Sequence, residues 1–248
     1  MTQRSHFAEG GAEYASHRPD YPPALAESLS FLCAAHGHAV DIGCGTGQLT
    51  ALLAGHFDRV TGIDPSPSQV ENARRVDRVD YRIADAEETG LPDASADLIV
   101  AAQAAHWFDL PRFYAEAQRI ARSGAILALI SYGVPEFSDD FALAFARFYW
   151  QDTHQYWPDD RAHVEEGYRS LEFPFREFAL PPMRIVRDWS LDELTGYIGT
   201  WSATRRALKT GHEPAFTAAL DRLTQDWGDP ATRRRIIWPI ASRLTRLG

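Results

Sequence analysis

Ala39-Val40-Asp41-Ile42-Gly43-Cys44-Gly45-Thr46-Gly47-Gln48-Leu49 decides how the rest of the chain is read. Val40 and Ile42 bracket Asp41 in a short strand-like run, and Gly43, Gly45 and Gly47 follow at alternate positions. Glycine tolerates positive φ and lets a ligand lie against bare backbone. Leu49, Leu52 and Leu53 then recur at helical spacing until Gly55. Strand, glycine turn, helix is the layout that gathers backbone N–H groups and a helix N-terminus around a ligand at the C-terminal edge of a parallel sheet.

Further strand tips follow. Arg59–Asp64 reads as a second strand ending in an acid, with Pro65, Ser66 and Pro67 behind it. A carboxylate at Asp64, 17 positions after Gly47, can accept both hydroxyls of a ribose. Ser66 reads equally well as a helix cap that needs no ligand. A helix through Val70, Ala73 and Arg74 leads to a third strand over Val79–Ala84, which ends in Asp85-Ala86-Glu87. Asp85 can accept an adenine amino group or stand as a loop acid. The apolar run Ala96–Ala102 fits a strand buried on both faces, and it ends in Gln103-Ala104-Ala105-His106-Trp107-Phe108-Asp109. A helix over Pro111–Ala121 and a strand over Ala125–Ser131 complete five β/α repeats, which the connection rules join into one parallel sheet with right-handed crossovers.

The flanks differ in character. Before the glycine turn, Phe7 to Pro22 is polar, aromatic and interrupted by prolines. It reads either as a surface arm or as a segment carrying Tyr14 and Arg18, four apart, over the site. Pro23–Ala35 is an amphipathic helix through Leu25, Leu29 and Leu32. After Tyr132 the chain becomes rich in aromatics up to Pro182, which suggests a helical lid that also shapes a pocket, with Phe141, Phe145 and Phe148 packed down on the sheet. Arg184–Trp189 looks like a sixth strand. Ser190 and Glu193 fit a capping box for a helix through Leu194 and Ile198. A helix around Phe216–Leu223 and a last strand Arg234–Ile240, antiparallel beside the sixth, close the chain.

The fold class is therefore α/β: a Rossmann-like, seven-stranded, mostly parallel sheet with an antiparallel last strand, helices on both faces and a helical lid insertion. The expected division is residues 1–38 as an N-terminal arm and helix over the site, 39–136 as the core, 137–182 as the lid, and 183–248 as the completion of the sheet and a wall of the pocket.

Composition narrows the function classes. At 248 residues, 45% hydrophobic and 24% charged, the chain suits one sizeable globular unit with an appended subdomain. A formal charge of −9 opposes a bulk electrostatic grip on nucleic acid, and Arg233–Arg235 reads as a solvated face. No apolar run approaches the roughly 18–20 residues that a bilayer requires. The N-terminus lacks an apolar signal core, so a cytoplasmic location is expected. Cys33 and Cys44 are the only cysteines, and the nine histidines do not cluster with acids, so neither a disulfide framework nor a metal site is expected. Cys44 reads as a small residue that fits the turn.

The dinucleotide pattern G-x-G-x-x-G would need glycine where Gln48 stands, and no Tyr-x-x-x-Lys pair exists, Lys209 being the only lysine. The run from Asp41 to Gly47, with Asp64, Asp85 and the Gln103–Asp109 tip, instead resembles the class I S-adenosylmethionine (SAM) dependent methyltransferases. Phe7, Tyr14, Arg18, Pro19, Tyr21 and Pro22, the His106-Trp107-Phe108-Asp109 tip and the Trp201-Ser-Ala-Thr block resemble the trans-aconitate methyltransferase-like, type 11 group.

The resemblance implies SAM as cofactor and a small-molecule acceptor, with no nucleic acid or membrane partner, in a monomer or homodimer. It places Tyr14, Arg18, Gly43, Gly45 and Gln48 at the methionine end beside Asp41, and Asp64, with Pro65 and Ser66, at the ribose. Asp85 and Ala86 fall at the adenine, and Gln103 near the methionine carboxylate. His106, Trp107, Tyr132, Trp201 and Arg205 would surround the acceptor. Members of the group often act on carboxylates, and Arg205 or Arg112 would have to reach the pocket for that. A carboxylate acceptor needs no base, whereas a hydroxyl does; His106 is then a pocket wall or a general base respectively. A catalytically silent SAM-binding partner and, behind it, an NAD-dependent oxidoreductase are the alternatives.

Overall fold

Alternation along the central strands explains the layering. In β4 (Ala96–Ala102) Leu98 and Val100 turn to one face while Ile99 and Ala101 turn to the other, and all four are fully buried. A strand buried on both faces requires helices above and below it. Those helices are present in the computed structural model, which describes residues 17–248. Helices α1 (Pro23–Leu32) and α2 (Gln48–Leu53) set Leu25, Leu29, Leu49 and Leu53 on the first face. Helix α4 (Leu110–Ile120) sets Phe113, Ala117 and Ile120 on the second; the short α3 (Pro67–Glu71) precedes it in the chain.

Strands β1 (His38–Ile42), β2 (Arg59–Asp64), β3 (Val79–Ile83), β4 and β5 (Ala121–Tyr132) are parallel in the order β3-β2-β1-β4-β5. The order reverses between β1 and β4, and such a switch point is where open α/β sheets form a crevice beyond the strand ends. Strand β8 (Arg234–Arg246) runs antiparallel to β5 through residues 240–246. It also pairs antiparallel with β7 (Met183–Trp189) and with the two-residue β6 (Glu136–Phe137). Ile236 and Ile237 pair with both β6 and β7, so those two strands occupy opposite edges of β8. Among the described residues the sheet thus has eight strands, the expected seven plus β6, and β8 alone of these runs against the rest.

Local chemistry accounts for the element ends. The box at Ser190 and Glu193 is present, each side chain capping the other's backbone at the start of α7 (Leu191–Gly199). The helix expected through Arg74 stops at Glu71: Asn72 turns its amide onto the Ser68 carbonyl at 2.9 Å, and the Arg74 N–H goes to the Thr46 carbonyl. Strand β5 starts four residues earlier than its apolar run, because a register shift against β4 carries the chain past Gly124 (φ +81°). Helix α8 (Ser202–Lys209) was not foreseen, and α9 (Glu213–Trp227) is longer than its apolar stripe.

The segment 137–182 is a chain of short pieces. Helix α5 (Phe141–Arg147) widens into a π-helical stretch over Phe148–Thr153, and α6 (Arg161–Glu165) follows. Phe141, Phe145, Phe148, Tyr149 and Trp157 join the first face of the core; Val164, Tyr168 and Leu171 join the second. The segment therefore straddles the sheet above its strand tips. Among the described residues no helix is long and apolar enough to cross a membrane.

Candidate active site

The tips of β1 to β5 open into a cleft of about 760 Å³. Its first half is built on the glycine turn. The N–H groups of Gly43 and Cys44 both donate to the Ile63 carbonyl, at 2.8 and 2.9 Å, which pins the turn to the end of β2. Gly47 has φ +81°, and a Cβ there would lie 2.1 Å from the Tyr81 hydroxyl. A Cβ on Gly43 would lie 2.4 Å from that of Ala104. Gly45 differs: its nearest neighbour would be Gln69 Oε1 at 3.9 Å, so its bare backbone faces the open cleft.

Two acids support this turn. Asp64 Oδ2 accepts the Gly45 N–H and Oδ1 accepts the Ser66 N–H, each at 2.9 Å. Burial pushes the Asp64 carboxyl above its ordinary range, and the two backbone donors oppose that. Thr50 donates its hydroxyl to Asp41 Oδ2 at 2.6 Å, while Asp41 Oδ1 is buried without a hydrogen bond. Burial raises Asp41 to about 7, against the Thr50 bond and with the Asp64 charge adding to the rise. Ser66 also caps α3 through the Gln69 N–H, so cap and cleft wall coincide in one residue. Pro65, Asp85, Ala86, Gln48 and Glu87 complete this half. Asp41 Oδ1 and Gln69 Oε1, without a hydrogen-bond partner among the described residues, and the open face of Gly45 give this half acceptors and bare backbone, the chemistry that would suit the hydroxyls and ammonium of SAM.

The second half lies under the 137–182 segment. His106 Nδ1 is 2.9 Å from the Tyr168 hydroxyl, and its ring packs on Trp107 at 4.8 Å. Burial, and then the charges of Arg161 and His163, push His106 down to about 3. Arg18 donates to the Tyr132 hydroxyl at 3.3 Å and to the Thr200 carbonyl at 3.4 Å; Arg205 donates to the same carbonyl at 3.4 Å. Gln103 sits at φ +56°, its amide donating to the Tyr132 carbonyl at 3.0 Å and accepting from Ser131 at 3.2 Å. The side chain of Gln103 is thus engaged by the end of β5.

The structure gathers most of the residues singled out in the sequence. Arg18, Asp41, Gly43, Gly45, Gln48, Asp64, Pro65, Ser66, Asp85, Ala86, Gln103, His106, Trp107, Tyr132 and Arg205 all line the cleft. Tyr14 lies outside the described residues. Trp201 lies outside the lining: it is 1% exposed and packs on Trp157 at 5.1 Å between ring centroids, while Ser202 lines the cleft. Arg112 is exposed on α4 and outside the lining. Trp157, Pro158, Arg161 and Val164 are walls from the 137–182 segment that sequence reasoning missed, because nothing in an aromatic-rich segment marks which members turn inward.

Known proteins resemble this chain over most of its length. The methyltransferase-domain family matches residues 40–129, β1 to β5 with the turn and the acids. A Dictyostelium discoideum protein named as a methyltransferase is 34% identical over 211 residues, 84% of this chain and 80% of that one. A Saccharomyces cerevisiae protein named as an S-adenosylmethionine-dependent methyltransferase is 35% identical over 137 residues, 52% of this chain and 47% of its own length. A solved structure from Anaeromyxobacter dehalogenans, described as a type II methyltransferase, superposes with a TM-score of 0.84 at 44% identity, covering 93% of this chain and 98% of that one. Likeness at such identity over nearly the whole length reaches beyond a shared fold, and this chain belongs to the class I SAM-dependent methyltransferases.

Proposed function

We propose that the enzyme methylates a small-molecule acceptor at a carboxylate oxygen. When bound, SAM supplies a methyl group already activated by its sulfonium sulfur. The chain's own task is then to hold donor and acceptor in line, which can lower a barrier by roughly 7–11 kcal/mol. Asp64 is assigned to the ribose hydroxyls, using the lone pairs left by its two backbone donors. Asp85 and Ala86 are assigned to the adenine, and Gly43, Gly45, Gln48 and Asp41 to the methionine side. Gln103 acts by bracing the β5 tip beside Tyr132. Segment 137–182 is the lid that keeps water from the acceptor end. The nicotinamide-dependent alternative falls with the family assignment.

The observation that carries the acid acceptor is the pairing of a cationic acceptor end with a poor base. Arg161 and Arg205 line this end of the cleft, and His106 is uncharged with a conjugate acid too strong for it to take a proton readily. A carboxylate is ionised near neutrality and needs no base; a phenol or alcohol would. The test is S-adenosylhomocysteine release with a panel of small acids, their amides and matched phenols. Turnover confined to acids supports the proposal. Turnover of phenols alone overturns the acid acceptor, and no turnover on any class favours a silent SAM-binding subunit.

A further inference from the structure

Arg161 is held in an unusual way. It opens α6, and its side chain is 12% exposed. Its Nε donates to the Tyr149 hydroxyl at 2.9 Å, and that hydroxyl donates to Glu165 Oε1 at 2.5 Å. The same Oε1 lies 3.7 Å from Nε. The guanidinium Cζ sits over the Trp157 ring, 4.3 Å from its centroid, and over Tyr149 at 5.8 Å. Every one of these contacts engages the stem side or the flat face of the group.

The two terminal nitrogens are left over. They make no hydrogen bond among the described residues, although Arg161 lines the cleft. Its position at the acceptor end is marked by its charge, which biases the titration of His106, Tyr168 and Tyr197 together. Arg18 and Arg205, in contrast, each place a terminal nitrogen on a backbone carbonyl. Neither terminal nitrogen is among the buried, unpaired polar atoms of the described residues, so the fork opens to the cleft, where an anion can replace the water that meets it. The planar fork matches a carboxylate in two parallel hydrogen bonds.

We infer that Arg161 is the specificity-determining residue of the acceptor site, its terminal fork receiving a carboxylate of the acceptor, with Tyr149 and Glu165 as positioning residues that aim it. This rests on the reading of the cleft as an acid-methylating site. Because the fork is carried on the lid and fastened through Tyr149, acid binding and lid packing are linked. An acceptor that lacks the carboxylate loses both the charge pair and the geometry.

The test uses the full chain saturated with S-adenosylhomocysteine, titrated by calorimetry with C3–C6 mono- and dicarboxylates and their neutral amides. The tightest acid is then carried to Arg161→Gln, Arg161→Lys and Tyr149→Phe. Expected is acid binding without amide binding in the wild type. Loss of a charge-assisted fork in Arg161→Gln should weaken acid binding about 10- to 100-fold. KM should rise in proportion, kcat should change less, and S-adenosylhomocysteine affinity should stay unchanged. Tyr149→Phe, which frees the fork but keeps the charge, should give a smaller loss of the same kind. If Arg161→Gln does not fold, Arg161→Lys decides, a several-fold loss supporting the inference and unchanged affinity overturning it. Acid binding as tight in Arg161→Gln as in the wild type overturns the role of Arg161 and leaves the acid acceptor standing. A wild type that binds no acid overturns both.

Discussion

Asp64 and Gly45 are joined between the tips of the neighbouring strands β1 and β2, the carboxylate Oδ2 at the end of β2 accepting the Gly45 N–H of the β1 turn at 2.9 Å. One side chain therefore shapes the glycine turn and keeps lone pairs for a ligand. The Ser66 N–H on the other oxygen fixes the carboxylate plane. Asp64→Ala removes both backbone partners and the ligand acceptor. Each charge-assisted bond is worth roughly 1.5–3 kcal/mol, so SAM affinity should fall at least about 10- to 100-fold by calorimetry. Asp64→Asn should be nearly as damaging, because its amide N–H₂ would face a backbone N–H. Unchanged affinity in either variant would remove Asp64 from the ribose.

Gly47→Ala tests the turn itself. The new Cβ would lie 2.1 Å from the Tyr81 hydroxyl and 2.9 Å from Cζ, on a backbone at φ +81°. The left-handed conformation costs about 1–2 kcal/mol and overpacking about 1–3 kcal/mol more. Thermal unfolding should show the loss, and SAM binding should weaken with it. A variant as stable as the wild type would mean that Tyr81 swings aside freely.

His106→Ala separates a wall from a base. With the imidazole pushed down to about 3, it stays neutral throughout the working range. The wild-type profile of kcat/KM on an acid acceptor should show no limb between pH 5 and 8 that the variant lacks. Turnover should fall less than about tenfold, below the 10²–10⁴ expected for a lost general base. A loss of several hundredfold, with that limb abolished, would restore the base role.

Asp41 gives the chain a pH dependence of its own. Its folded pKa of about 7 lies above the ordinary carboxyl value of 3.8. Between those values the unfolded chain has released the proton that the folded chain still holds, so stability falls as pH rises through this window. Above about pH 7 the penalty is complete and on the order of a few kcal/mol. Asp41→Asn keeps an oxygen for the Thr50 hydroxyl and removes the charge. The variant should melt several degrees above the wild type at pH 8 and level with it near pH 4. Parallel melting curves for the two proteins across that range would refute the assignment.

Local patterns in the sequence reach far into this fold. β2 and β4 end where the residues say they end, since an acid or a turn follows a short apolar run whose length is set by the sheet. The capping box at Ser190 and Glu193 is legible because both bonds lie within one turn of helix. Trp201 and Arg161 show where such reading stops. A tryptophan in the Trp201-Ser-Ala-Thr block reads the same whether it lines a cavity or fills a core. An arginine in an amphipathic stretch looks the same whether it faces water or a pocket.

By itself the sequence determined the parallel β/α order, the glycine turn and the acids at the strand tips, because each rests on contacts between near neighbours or on a strand's own periodicity. Only the tertiary structure decided which distant side chains close the cleft. Arg161, Trp157 and Arg18 reach it from segments up to 187 positions from Arg205, and the facing of the first two depends on how helices of the 137–182 segment settle across the sheet. That settling is a packing equilibrium among buried aromatics far apart in the chain, and no local spacing records it.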